Sequence, residues 1–122
     1  MNAPDRFERF VVPDGVPKIS LEKDTKVTNA ATFTLQREDH TVGNLVRMQL
    51  LRDKEVTFAG YKFPHPLDYH ILIKVQTKGK KSPREVMDDA LTDLCDEFDD
   101  IRAKFQAEAR RVHSSEAGPG YM

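Results

Sequence analysis

Apolar and polar residues alternate with period two in four stretches of this chain and recur with a helical period in two others. Ile19 and Leu21 among polar neighbours predict a short edge strand over 18–22. Ala31, Phe33 and Leu35 against Thr32, Thr34 and Gln36 predict a half-buried strand with one wet face. Residues 55–63 are β-rich and alternating, with a bulge expected at Gly60. The strongest strand signal is 69–77, where Tyr69, Ile71, Ile73 and Val75 share a face and Leu72 intrudes on the polar side. Pro64-His65-Pro66 cannot continue a strand and reads as a rigid connection.

Between the second and third strands, residues 38–51 predict a helix of about 12 residues, capped by Asp39 or Thr41 and closed at Asp53. At ~100° per residue, Val42, Leu45, Val46 and Leu50 share one face, and Met48 and Leu51 point to roughly the opposite side. A surface helix needs one apolar stripe; two predict a helix held between its own sheet and a second body. Gly43 sits a turn inside this helix, where it costs ~1 kcal/mol relative to Ala, and so marks a close approach or a fixed entry angle.

The second helix announces itself through Ser82 as cap, Pro83 in the first helical position and Glu85 closing a capping box. Met87, Leu91, Leu94, Phe98, Ile101 and Phe105 follow at heptad spacing, acids crowd its first half, and bases follow. Running from Pro83 to about Val112, it would be ~45 Å long, whereas a compact domain of this size is ~35 Å across. Such a helix outruns its domain and leaves Phe98, Ile101 and Phe105 in water unless a partner covers them.

The expected architecture is therefore α+β: a mostly antiparallel sheet with a short helix and a long C-terminal helix on one face, forming one domain over 1–112. An extended arm over 1–17, broken by prolines, is expected to be pinned to a surface by Phe7 and Phe10, and 113–122 to be a flexible tail. Nineteen basic against twenty acidic residues, net −1, argue against a protein that coats nucleic acid. The longest apolar run, Ile71 to Ile73, is far below a membrane span, and the charged N-terminus lacks a secretory pattern; a soluble, intracellular protein is expected.

Candidate chemistry is thin. Asp39 and His40 are adjacent at a helix start and do not face one another, so capping is the expected role of Asp39 and a surface or interface role that of His40. The four histidines show no i, i+4 pair, and the acids around Cys95 would raise a thiol pKa rather than activate it. Those acids lack calcium-loop spacing, and the loop from Lys78 to Lys81 reads as a solvated turn. No catalytic residue, metal site or cofactor is expected.

The opening Met1-Asn-Ala-Pro-Asp-Arg-Phe-Glu8, the box Asp39-His40-Thr41-Val42-Gly43-Asn44, the strand Phe58-Ala-Gly-Tyr-Lys62 and the turn Pro64-His-Pro-Leu67 closely resemble the small alpha-like subunits of DNA-directed RNA polymerases. That family includes archaeal subunit L and a form shared by polymerases I and III; the amino-terminal start favours the polymerase II branch. The resemblance covers roughly 1–112 and implies an alpha-subunit-like dimerisation domain. It also implies a heterodimer with polymerase II subunit 3, built from interchain packing of both helices. The implied interface comprises Val42, Leu45, Val46, Met48, Leu50 and Leu51 of the first helix and Met87, Leu91, Leu94, Phe98, Ile101 and Phe105 of the second. It further implies a nuclear, non-catalytic role, scaffolding the enzyme with small subunits 10 and 12 and the second-largest subunit, without sequence-specific nucleic acid contact. Two alternatives stand: the polymerase I/III counterpart, and a homodimeric helical adaptor. Glu108 at a seam position weighs against the second, because symmetric pairing would oppose two acids.

Overall fold

The structure, a computed structural model, describes residues 3–116. After a 3₁₀ turn at Arg6–Arg9 come β1 (Ile19–Lys23), β2 (Ala30–Gln36), α1 (His40–Leu51), β3 (Val56–Lys62), β4 (His70–Thr77) and α2 (Pro83–Glu116). The strands form one antiparallel sheet in the order β1-β2-β4-β3, so β2 and β4, each with four buried residues, lie inside it. The described residues fall into two compact units, one ending at Ala90 and the other beginning at Leu91 within α2.

Register explains the core of the first unit. Phe33 stands opposite Ile73, Leu35 opposite Ile71, and Ala31 opposite Val75, so the apolar sets of β2 and β4 share one face. All six are buried, together with Ala59 of β3. Val46 and Leu50 of α1 complete this core with Val86, Met87 and Ala90 from the first turns of α2. Each fully buried large aliphatic side chain contributes ~1.5–3 kcal/mol, which makes these helix positions the anchors of the layer.

Several details differ from expectation. The bulge lies between Val56 and Phe58, not at Gly60, which stays in register with Lys74. Thr57 is the extra residue, its hydroxyl donating to the Gln76 carbonyl at 3.1 Å. Arg52, not Asp53, caps the end of α1; the Asp53 carboxylate instead accepts the Glu55 amide at 2.9 Å. Helix α2 continues past Val112 to Glu116, because no breaker precedes Gly118; of the tail expected from 113, residues 117–122 lie outside the described residues. Phe7 and Phe10 are exposed on this chain. Two contacts tie the arm to this chain: Arg37 Nε donates to the Val11 carbonyl at 3.0 Å, and the Arg9 guanidinium lies 5.9 Å from the Tyr69 ring centroid.

Candidate docking surfaces

The box at the start of α1 is a clamp that sets this helix on β3. Asp39 is the N-cap, accepting the Thr41 amide at 3.0 Å, while the Gly43 amide donates to its backbone carbonyl. His40 Nδ1 is 2.9 Å from the Tyr61 hydroxyl, and its ring packs against Tyr61 and Phe63 with centroids 5.7 and 5.4 Å away. Gly43 is buried under the same Tyr61 ring: a Cβ there would stand 2.6 Å from Cδ2 and 3.0 Å from Cγ. Asn44 closes the box by accepting from Arg47 at 2.7 Å. The role of Gly43 is therefore to let an aromatic ring, rather than another backbone, approach the helix.

Once α1 is fixed by this clamp, its outer side is determined. Val46 and Leu50 face the core; Leu45, Met48 and Leu51 are exposed. Leu45 thus belongs with Met48 and Leu51 in the outer stripe, a correction to the sequence-based face. A core centred between Gly43, Val46 and Leu50 rotates Leu45 out by about a quarter turn or more, at ~100° per residue.

Helix α2 shows a second stripe. Glu85 donates its amide to the Ser82 hydroxyl at 3.2 Å, as the capping box requires. Met87 is buried in the core, Leu91 and Leu94 are half-buried, and Phe98, Ile101 and Phe105 are 52, 54 and 73% exposed. Val46, Leu50 and Met87 therefore leave the expected interface and join the chain's own core. Beyond Phe105 the stripe continues through Ala109 and Val112, which line a shallow depression with Glu108 and His113. Lys104–Asp100 at 2.9 Å and Arg111–Glu108 are ion pairs within the helix.

Among the described residues, the perturbed titratable groups are surface carboxylates and cations. Backbone amides of Val27 and Lys26, with Lys74, hold the Asp24 carboxyl below its ordinary value. Asp89 raises Lys81, and the Glu108–Arg111 contact lowers the first and raises the second. All of these groups lie at the surface, and no histidine is among the causes of these shifts; Cys95 is itself exposed. No group of metal-ligating side chains occurs among the described residues, and no described helix is long and apolar enough to cross a membrane.

Comparison with known proteins agrees with these features. Residues 30–104 match the RNA polymerase Rpb3/Rpb11 dimerisation domain. The chain is 48% identical over 105 residues to DNA-directed RNA polymerase II subunit rpb11 of Dictyostelium discoideum, covering 86% of this chain and 88% of that one. It is 46% identical over 122 residues to a probable DNA-directed RNA polymerase II subunit RPB11 of Caenorhabditis briggsae, covering 99% of both. The crystal structure of DNA-directed RNA polymerase subunit L from Thermoplasma acidophilum superposes with a TM-score of 0.65 at 25% identity, over 84% of this chain and 99% of that one. With its antiparallel sheet, boxed first helix and capped long second helix, this chain belongs to the RNA polymerase Rpb3/Rpb11 dimerisation-domain family.

Proposed function

We propose that this chain is the subunit-11 member of RNA polymerase II, a non-catalytic assembly subunit that acts in the nucleus as the smaller half of a heterodimer with subunit 3. The observation that carries this reading is the exposed run Phe98, Ile101 and Phe105 on one side of α2. Three large apolar side chains at heptad spacing in water call for a partner helix. The outer stripe of α1, Leu45, Met48 and Leu51, with Val42 at its margin, supplies the second contact, and on α2 the half-buried Leu91 and Leu94 extend the seam. The pair then forms a platform for small subunits 10 and 12 and for the second-largest subunit. This chain contributes surface and no reacting group, cofactor or metal ligand, and makes no sequence-specific nucleic acid contact.

Co-expression with subunit 3 tests the proposal. Phe98→Asp is expected to abolish co-purification, since an unpaired charge buried at an interface costs several kcal/mol. Retained one-to-one association in that variant would overturn it. Identifying the largest subunits that co-purify with the tagged native chain separates the polymerase II reading from its polymerase I/III counterpart. A tight homodimer of the lone chain would instead favour the adaptor.

A further inference from the structure

We infer that the free edge of β1 and the groove beside it form a docking site for an extended, acidic segment of another polypeptide, which adds a strand to the sheet. All five residues of β1 are exposed. The Gln36 amide donates to the Lys18 carbonyl at 2.8 Å, and the Asp24 amide to the Ala30 carbonyl at 3.0 Å. Bonding alternates along an antiparallel ladder, so Ser20 and Glu22 also turn toward β2 while Ile19, Leu21 and Lys23 aim their N–H and C=O groups outward. The edge carries neither a proline nor a bulge to block an added strand.

The side chains define what such a strand meets. Ile19 and Leu21 stand opposite Leu35 and Phe33, so they lie on the core face of the sheet, yet they remain 41 and 40% exposed. Leu21 borders a groove of about 640 Å³ whose apolar lining includes Val27, Ala30, Ala31 and Pro83. An added strand would send every second side chain into this groove, favouring apolar residues there.

Charge selects an acidic strand. Lys23, Lys80 and Arg84 line the groove. Its two carboxylates are already engaged: Asp24 accepts from the Lys26 and Val27 amides at 2.7 and 3.0 Å and pairs with Lys74, and Glu85 meets the Ser82 hydroxyl at 3.3 Å. The three cations are left to recognise the occupant, and acids on the incoming strand answer them. The site lies wholly in the first unit and involves neither the α1 outer stripe nor the α2 seam.

The test uses the full chain, alone and paired with subunit 3, and a fluorescein-labelled peptide of alternating acidic and apolar residues. Saturable anisotropy change is expected in both settings, with slowed hydrogen exchange at the Ile19, Leu21 and Lys23 amides. The triple variant Lys23→Glu, Lys80→Glu, Arg84→Glu should bind about tenfold more weakly or worse, and N-methylation of alternate peptide amides should abolish binding. Equal affinity for a lysine-substituted peptide, competition by an oligonucleotide, or unchanged exchange at the three amides would overturn the inference. So would loss of binding on pairing with subunit 3, which would place the groove inside that interface, or self-association through β1 in sedimentation of the lone chain.

Discussion

Gly43 and Tyr61 are a pair in which each residue is intelligible only through the other. A methyl at position 43 meets the ring at its root as well as its edge, so the ring cannot swing aside without giving up the His40 contact. Gly43→Ala should gain ~1 kcal/mol of helix propensity and lose ~1–3 kcal/mol to overpacking, a net destabilisation in urea unfolding. In a Tyr61→Ala background the same substitution should become neutral or stabilising, and a double-mutant cycle without coupling would refute the clamp. Asp24 gives a second test. Its carboxyl is held below its ordinary value by the Val27 and Lys26 amides and Lys74. A lowered folded-state pKa stabilises above the unfolded value and loses that stabilisation as pH falls through the folded one. Acid unfolding of Asp24→Asn should therefore show a shallower pH dependence below the ordinary carboxylate range, and carboxyl NMR should place the Asp24 midpoint below that of a model peptide. The Asp39 cap was legible because it is local; the His40–Tyr61 bond joins residues 21 apart and needed the strand register.

Each helix is divided between two duties. In α1 the inner residues Val46 and Leu50 hold the sheet and the outer residues Leu45, Met48 and Leu51 stay in water. Met48→Asp should leave the fold of the lone chain intact, by circular dichroism and unfolding midpoint, yet weaken co-purification with subunit 3. Leu50→Ala should do the reverse at first order, destabilising the chain by ~2–5 kcal/mol through the cavity it opens. In α2 the capping box is an independent local device. Ser82→Ala should cost ~1 kcal/mol and speed exchange of the Glu85 amide, with little effect on the seam further along. Helical period alone revealed two stripes on α1 but assigned Leu45 to the wrong one, since period does not say where the centre of burial falls.

At the scale of the molecule, a chain with two exposed apolar stripes should be stabilised by whatever covers them. Binding to the folded state raises apparent stability with partner concentration. Thermal unfolding of the one-to-one complex with subunit 3 should shift upward with concentration, and the lone chain should bind a hydrophobic dye that the complex does not. A monodisperse lone monomer that ignores subunit 3 would mean the stripes are not a docking surface. The near-balance of 19 basic and 20 acidic residues fits a protein that works by shape and apolar contact rather than by attraction to a polyanion.

The amino-acid sequence by itself determined the order of elements, the edge position of β1 and both helix starts. These rest on period, capping and turn chemistry, all of which act within a few residues. The box Asp39 to Asn44 also marked the family before any coordinates. Only the tertiary structure decided that Val46, Leu50 and Met87 belong to the core, that the bulge falls at Thr57, and that Tyr61 rather than a backbone requires Gly43. The physical reason is common to all three. Burial and register are set by which segments meet across the sheet, and residues far apart in the chain learn of one another only when it folds.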